Sequence, residues 1–283
     1  MLNNIDISDS IILNALREDV GNGDVTTSSL IPEDSVSEAR LIAKGDLILA
    51  GLPFAERVFQ LVDDSIKFRA FKKDGSLVRK GGIVAKIKGK TAGLLIAERT
   101  ALNILQRMSG IATLTNEYVK AVRGLSVEIT DTRKTAPGLR YLDKYAVRMG
   151  GGANHRYGLY DGVLIKDNHI AAVGGVGKAL KLARQAAHHL LKIEVEVKNI
   201  PEVKEALSAG ADVIMLDNMD LEMMKKAVGI IRHGRPGILI EASGNMDLGN
   251  IREVAETGVD LISVGALTHS APAADLSLQI SSS

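Results

Sequence analysis

Charged residues stand at the ends of several short apolar runs in the second half of the chain. Lys166, Asp217 and Glu241 each follow directly on such a run, and Glu196 is the last charge within another. In a parallel barrel the carboxyl ends of the strands meet at one mouth, where active sites gather. Because an unpaired buried ion is strongly unfavourable, we expect these charges to converge on one another or on a ligand.

Cationic residues predict the nature of that ligand. Arg guanidiniums suit carboxylate and phosphate groups, whereas Lys acts as a mobile point charge. Some of these cations come shortly after the apolar run Val127–Asp131, and others follow the three glycines at positions 150–152. The candidate residues are Arg99, Arg133, Lys134, His155, Arg156 and Lys166. A group of this kind predicts a site for polyanions.

Two carboxylates and two turns complete the predicted site. Glu196 and Asp217 are expected on neighbouring strands, a spacing that suits Mg²⁺ when a pyrophosphate supplies further ligands. The turns at Ser243–Gly244 and at Gly265 follow the last two predicted strands, where barrels commonly bind phosphate through backbone N–H groups. For any single residue, an internal salt bridge such as Lys166 with Glu196 is an equally good interpretation. As a set, the residues favour one anion, one metal and one phosphate.

The scaffold for these residues is predicted from six β-branched apolar runs that alternate with segments of helical spacing. The predicted strands are Val127–Asp131, Gly162–Lys166, Ile193–Val197, Val213–Asp217, Gly237–Glu241 and Val259–Val264. The predicted helices are Ala179–Leu191, Pro201–Ala209, Leu221–Ile231 and Asn250–Thr257. Such an alternation indicates parallel βα units, and their number favours a closed or nearly closed barrel.

Side chains alternate across a strand, so the runs also predict which residues face the inside of the barrel. Ile214 and Leu216 are expected to face outward and Asp217 inward. By the same alternation, the inward set includes Lys166, Glu194, Glu196 and Glu241.

The first 123 residues show a different pattern, which indicates a smaller α+β domain. Its predicted elements are strand-like stretches at Ser37–Leu49, Ile66–Phe71 and Ile83–Ile87 and a helix at Pro53–Val62. The run Asp74–Gly89 is predicted as a structural hairpin, because it lacks the presented lysine of a lipoyl or biotinyl carrier domain. A long helix at Gly93–Arg123 connects the two regions, with Gly110 as a candidate break point.

Composition narrows the classes of function. With 35 Lys and Arg against 34 Asp and Glu, the chain has no overall field to attract nucleic acid or an anionic membrane. Aromatic residues make up only 3%, so a stacking surface for single-stranded nucleic acid is not expected. The absence of cysteine removes disulfides, thiolate metal sites and a cysteine nucleophile. Without a signal-peptide pattern at the N-terminus, a cytoplasmic location is expected.

Over nearly its whole length the chain resembles quinolinate phosphoribosyltransferase. Several long strings in the same order carry the resemblance, which makes it far more specific than any one motif. The strings are Ala97–Asn103, Ser109–Thr113, Asp131–Thr135, Gly151–Arg156, Ile165–His169, Glu194–Val197, Leu216–Asn218, Ser243–Gly244 and Val264–Ser270. No departure is visible at the positions that the chemistry needs.

The resemblance implies the fold class α/β, with an N-terminal open-faced α/β sandwich at residues 1–110 and an incomplete TIM-like α/β barrel at residues 111–267. It implies that the tail at 268–283 returns to the first domain. It also implies a homodimer with shared active sites, which could assemble further into a hexamer. Neither nucleic acid nor membrane is an expected partner.

The resemblance further implies the roles of the site residues. Arg99 of the neighbouring subunit would join Arg133, His155, Arg156 and Lys166 in holding the quinolinate carboxylates. Phosphoribosyl pyrophosphate and its Mg²⁺ would be served by Lys134, Glu196, Asp217, Ser243, Gly244 and Gly265, with Glu196 and Asp217 as metal ligands. The catalytic residues would be Lys134, Lys166, Glu196 and Asp217.

The implied reaction transfers phosphoribosyl to quinolinate with decarboxylation, giving nicotinate mononucleotide. One alternative is a transferase of the same fold with another acceptor, including the paralogue associated with molybdate transport genes. Others are a barrel lyase that forms a Schiff base on Lys166 or Lys134 and a non-catalytic binder of phosphosugars.

Overall fold

The computed structural model describes residues 2–281, with side chains described from Ile7 onward. The helices are α1 Leu2–Val20, α2 Val25–Leu30, α3 Leu52–Val62, α4 Thr91–Ala121, α5 Arg140–Met149, α6 Asp167–Val173, α7 Val176–Ala186, α8 Ile200–Ser208, α9 Leu221–Gly234, α10 Ile251–Ala255 and α11 Ala266–His269. The strands are β1 Val36–Ala43, β2 Leu47–Ile48, β3 Lys67–Ala70, β4 Leu77–Val78, β5 Ile83–Lys90, β6 Glu128–Thr130, β7 Val163–Ile165, β8 Ile193–Val197, β9 Val213–Asp217, β10 Leu239–Ser243, β11 Leu261–Ser263 and β12 Leu276–Ser281.

The described chain divides into two compact units. The first comprises the residues up to 116, residues 135–151 and those from 270, and the second comprises residues 117–134 and 152–269. Residues 135–151, which the sequence boundaries assigned to the barrel domain, therefore group with the N-terminal unit. Among the described helices, none combines the length and the apolar content that crossing a bilayer requires.

An antiparallel sheet forms the centre of the first unit, in the strand order β12-β1-β5-β3. Along β1, exposed or half-buried residues alternate with buried ones such as Ala39 and Leu41, so one face of the strand packs into a core. Helix α3 presents Ala55, Val58 and Phe59 as buried residues, and the Phe59 ring lies 6.0 Å from that of Phe68 on β3. One sheet covered by a helix is the predicted open-faced sandwich.

The predicted hairpin within Asp74–Gly89 is wrong. Strand β4 pairs with β2, while β5 pairs with β1 and β3. The turn signals at Asp74–Gly75 and at Gly81–Gly82 are real, because Gly75 and Gly81 both adopt positive φ. These turns connect strands that belong to two different sheets. The local sequence predicts the turns but not the strands with which β4 and β5 pair.

Helix α4 follows the predicted connecting helix closely and continues through Gly110, so the candidate break is wrong. The residue type serves a close approach instead, because a Cβ at position 110 would overlap the carbonyl of Pro272. The C-terminal segment is also bonded to α4 through Gln106, whose Nε2 donates to the Leu276 carbonyl at 2.9 Å. Beyond this contact, β12 pairs antiparallel with β1.

Six parallel strands form the core of the second unit, in the order β6-β11-β10-β9-β8-β7. Since β11 pairs with β6, the last strand closes onto the first, and the ladder is open between β6 and β7. This is the predicted incomplete α/β barrel, with all six predicted strands present. Helices α8 and α9 begin where Asn199 and Asp220 accept N–H bonds from Glu202 and Met223.

Five of the described helices were not predicted, namely α1, α2, α5, α6 and α11. Helix α1 carries scattered apolar residues, and α5 is interrupted by charges, yet Asp143 and Lys144 within it are fully buried. Arg107 donates two hydrogen bonds of 2.8 Å to the Asp143 carboxylate, which explains how that charge is buried. Helix α6 is only seven residues long and starts at the end of β7.

The close approach at Gly110 predicts a penalty for the smallest possible side chain. We expect Gly110→Ala to lower the midpoint of urea unfolding, since overpacking costs ~1–3 kcal/mol and exceeds the gain of up to ~1 kcal/mol that Ala brings to a helix. Gly229 lies in α9 with open space around it, so Gly229→Ala is a matched control that should raise the midpoint. Equal stabilisation by both substitutions would contradict the tight contact with Pro272.

Candidate active site

A cavity of about 780 Å³ opens at the carboxyl ends of the parallel strands. All of its lining residues belong to the second unit. The predicted site residues that line it are Arg133, Lys134, His155, Arg156, Lys166, Glu196, Asp217, Ser243, Gly244 and Gly265. Arg99 is not among them. It is an exposed residue of α4, in the part of that helix that belongs to the first unit.

The strand alternation expected from the sequence is confirmed on β9. Met215 and Asp217 line the cavity, whereas Ile214 and Leu216 are fully buried and do not. The same parity places Glu241 and Ser243 of β10 in the lining. Because the ladder pairs Ser243 with Asp217, these two positions lie side by side at the mouth.

Arg156 is a cation whose guanidinium the protein holds in place. Its Nη1 donates to the Gly162 carbonyl at 2.9 Å, while its buried Nε has no acceptor within the described part of the chain. Burial and the adjacent charge of Arg133 lower the pKa of Arg156. A buried donor without an acceptor, beside a second guanidinium, is a favourable place for an anion.

Lys166 and Glu196 form the ion pair that the sequence offered as an alternative, with 2.7 Å between Nζ and Oε1. The Lys166 side chain is 45% exposed and that of Glu196 only 12%, so the carboxylate is the fixed member. The Lys166 backbone N–H donates to His169 Nδ1 at 2.9 Å, which anchors the start of α6. His169 therefore orients the lysine backbone and is not part of the cavity lining.

Lys134 is held by contacts at both of its backbone groups. Its N–H donates to the Thr132 hydroxyl at 3.0 Å, and its carbonyl accepts from the Thr268 hydroxyl at 2.8 Å. Its side chain passes Gly265, where an added Cβ would come within 3.1 Å of Lys134 Cδ. A glycine at 265 thus leaves room for the lysine to reach the cavity.

The turns that follow β9 and β10 contain residues with left-handed backbone conformations. Gly244 has φ of 94°, and the non-glycine residues Asn218 and Asn245 also adopt positive φ of 53° and 52°. A Cβ at position 244 would overlap the Asn218 side chain. Strain of this kind at a cavity wall is typical of functional sites.

Strand alternation predicts that Glu194 and Glu241 face inward, although neither is among the predicted site residues. They lie against His155, whose Nε2 is 3.1 Å from Glu194 Oε2 and 3.5 Å from Glu241 Oε2. Burial lowers the pKa of His155, but the two carboxylates outweigh it and raise the pKa to about 10. The inward parity of both glutamates was the signal that could have found them.

Comparisons with known proteins agree with this geometry. Residues 24–109 match the N-terminal domain, and residues 111–279 the C-terminal domain, of the family described as quinolinate phosphoribosyl transferase. A probable nicotinate-nucleotide pyrophosphorylase [carboxylating] of Bacillus subtilis is 46% identical over 93% of this chain and 90% of that protein. A mitochondrial quinolinate phosphoribosyltransferase [decarboxylating] of Nicotiana tabacum is 48% identical over 94% of this chain and 80% of its own.

Solved structures give the same result. The nicotinate-nucleotide pyrophosphorylase from Francisella tularensis superimposes with a TM-score of 0.91 at 41% identity, covering 98% of this chain and 96% of that one. NadC from Streptococcus pyogenes gives a TM-score of 0.92 at 43% identity, with 96% of each chain covered.

The cationic cavity predicts that a simple polyanion stabilises the protein. A ligand at a hundredfold excess over its Kd stabilises a fold by about 2.7 kcal/mol, so a compact polyanion with two neighbouring carboxylates, benzene-1,2-dicarboxylate, should raise the thermal midpoint. We expect Arg156→Gln to reduce that rise relative to its own ligand-free midpoint, because the fixed guanidinium is lost. Arg235→Gln removes an exposed arginine outside the cavity and should leave the rise unchanged. An equal rise in all three proteins would place the anion elsewhere.

Proposed function

The chain belongs to the quinolinate phosphoribosyltransferase family, and on that basis we propose that it transfers the phosphoribosyl group of phosphoribosyl pyrophosphate to quinolinate. The products would be nicotinate mononucleotide, pyrophosphate and CO₂, a step of NAD biosynthesis. The observation that carries the proposal is one cavity in which fixed guanidiniums, two lysines and two strand-end carboxylates converge. The cations match the carboxylates and phosphates of the two substrates. The carboxylates match the positive charge that develops on the ribose during the reaction.

The cations account for binding of the acceptor. Quinolinate carries two neighbouring carboxylates on a pyridine ring, and Arg133, Arg156 and Lys166 line one cavity where they can neutralise both. The resemblance implies that His155 belongs to the same group. Fixing the ring by its carboxylates would present the ring nitrogen to the ribose, which is the main contribution that positioning can make.

The remaining residues account for bond cleavage. Lys134 and the turns at Ser243–Gly244 and Gly265 would hold the phosphates, and Lys134 would offset the charge of the departing pyrophosphate. As the C–O bond to pyrophosphate breaks, positive charge grows on the ribose, where Glu196 and Asp217 can stabilise it. The pyridine nitrogen then forms the new C–N bond. The positive charge on the ring nitrogen then stabilises the electron pair that the departing CO₂ leaves on the adjacent ring carbon, and that carbon takes up a proton from solvent.

Glu196 and Asp217 are the residues that would hold Mg²⁺. Both offer hard carboxylate oxygens from neighbouring strands to one cavity, which fits an ion that takes its other ligands from water and pyrophosphate. The ion, when bound, supplies charge neutralisation of the leaving pyrophosphate. Lys166 Nζ, now 2.7 Å from Glu196 Oε1, is exposed enough to move from that carboxylate toward a substrate carboxylate.

A homodimer with shared sites is the proposed assembly, with further association into a hexamer as its extension. The support is that Arg99, a member of the string Ala97–Asn103, is exposed and is not one of the residues that line the cavity. On this proposal Arg99 of the neighbouring subunit completes the cationic group. The cytoplasmic location expected from the sequence stays a prediction, and the tobacco relative is described as mitochondrial.

Pyrophosphate release tests the proposed function. With phosphoribosyl pyrophosphate and Mg²⁺, we expect release with quinolinate and little with nicotinate, because nicotinate lacks the second carboxylate that the cations neutralise. Carbon dioxide should appear in equal amount. Turnover that continues undiminished in EDTA would contradict the metal assignment.

Other outcomes identify the alternatives. Turnover with nicotinate in preference to quinolinate would indicate a same-fold transferase with another acceptor. Borohydride trapping of Lys166 or Lys134 with a carbonyl substrate would indicate a Schiff-base lyase. Binding of phosphoribosyl pyrophosphate without turnover of any acceptor would indicate a phosphosugar-binding protein.

Subunit complementation tests the shared site. In a mixed dimer of Arg99→Ala and Asp217→Ala, one site would combine an intact cavity with an intact Arg99, and the other would lack both. Random mixing of the two inactive proteins should therefore restore about a quarter of the wild-type activity for a two-fold symmetric dimer. No recovery, under conditions in which mixed dimers are shown to form, would contradict a contribution of Arg99 across the interface.

A further inference from the structure

Two buried glutamates and one histidine form a compact group at the base of the cavity. Glu241 is 1% exposed and Glu194 is 8% exposed, and each keeps one carboxylate oxygen buried without a donor in the described residues. Their other oxygens face the Nε2 of His155 at 3.1 Å and 3.5 Å. One imidazole therefore faces the negative charge of two carboxylates. Neither glutamate has a part in the proposed reaction.

Both ring nitrogens of His155 are engaged by the protein. Nε2 carries the proton that faces the carboxylates, and Nδ1 accepts the backbone N–H of Arg156 at 2.8 Å. The two carboxylates favour a charged ring, whereas the Arg156 N–H favours a neutral Nδ1. In either charge state the Nε2–H bond is directed at the glutamates. While Nδ1 stays unprotonated to accept the Arg156 N–H, the ring has no N–H left for a substrate carboxylate.

The segment around His155 is anchored from a second side by Asp131, which is fully buried after β6. Asp131 accepts the His155 backbone N–H at 2.9 Å and the Asn154 side-chain amide at 2.6 Å. The Ala153 N–H donates to the Ile129 carbonyl at 2.8 Å. Arg156 is the next residue after this clamped stretch, so its backbone position is fixed by the bonds that hold His155.

We infer that Glu194 and Glu241 are positioning residues, which fix His155 and through it the guanidinium of Arg156 for an anionic substrate. His155 then acts on the substrate through Arg156 and does not donate a hydrogen bond to it. The inference rests on the proposed function for its substrate. It assigns a role to the two buried glutamates and changes the role that the resemblance implied for His155.

A double-mutant cycle tests the inference with Glu241→Gln, His155→Asn and the double variant, and a second cycle uses Glu194→Gln. If the glutamates act through His155, each single change should raise the KM for quinolinate about tenfold or more, as supporting partners of binding groups commonly do. The double variant should be no worse than His155→Asn alone. The KM for phosphoribosyl pyrophosphate should change much less.

A merely structural role predicts a different result. It would lower the thermal midpoint and affect both KM values alike. Glu253→Gln, at an exposed carboxylate on α10, is the control and should leave both KM values unchanged. Multiplying effects in the double variant would show that His155 contacts the substrate independently and would overturn the inference. A transition metal found by elemental analysis to depend on all three residues would overturn it as well.

Failure of the proposed function gives a separate signal. If the wild-type protein releases no pyrophosphate with quinolinate, the proposed function is contradicted. The cycle can then be read from the thermal rise with benzene-1,2-dicarboxylate, a probe with two neighbouring carboxylates whose binding depends on Arg156 and not on turnover. Loss of that rise in Glu241→Gln, without further loss in the double variant, would still support the positioning role. An undiminished rise in Glu241→Gln would overturn it.

Discussion

The site depends on one constraint, which is that the carboxyl ends of parallel strands bring their inward side chains to the same mouth. Lys166, Glu196, Asp217 and Glu241 come from four different strands or strand ends, yet all line one cavity. Two like charges 4 Å apart interact with about 4 kcal/mol at an effective dielectric constant of 20. This repulsion must be offset by opposite charges that lie between the like ones. The Lys166–Glu196 and His155–Glu194 contacts provide such pairs.

The open edge of the barrel explains why the cations are so numerous. Because β6 and β7 do not pair, the chain between them is free of a ladder. A single parallel bridge from Thr130 to Ala153 brings residues 152–156 beside β6 instead. Irregular backbone can place consecutive residues such as His155 and Arg156 toward the same region, which a strand cannot do because its side chains alternate. The gap in the sheet is therefore where anion-binding residues can be concentrated.

The sequence predicted the second unit far better than the first, for a physical reason. Ile193–Val197 and Val213–Asp217 are buried on both faces, so their β-branched runs are visible without knowledge of the partner strands. The residues Leu77 and Val78 pair with β2, which depends on contacts distant in the chain. Likewise, Lys144 looks like a surface residue in the sequence, yet it is fully buried in α5. Tertiary context decided these elements.

The alternation of side chains along the strands predicts which residues of the candidate site face inward, and this part of the site could be predicted from the sequence. Parity places Asp217 and Glu196 inward, but it gives no information on whether an inward charge meets a ligand or another side chain. Glu194 and Glu196 have the same parity and differ in depth alone, one facing His155 and the other facing Lys166. Glu196 lines the cavity, whereas Glu194 lies two residues further from the carboxyl end of β8 and does not, so only internal partners can compensate the charge of Glu194.

The cationic group combines a fixed residue with a mobile one, which suits a ligand with two neighbouring carboxylates. Arg156 is fixed by Gly162 and by the clamped segment before it, whereas Lys166 is 45% exposed and tied by a single ion pair. A planar guanidinium that is already in place loses little freedom on binding, while a mobile lysine can follow the second charge. The buried carboxylates beneath them keep the first cation in position, and the exposed edge of the cavity leaves the second one free to adjust.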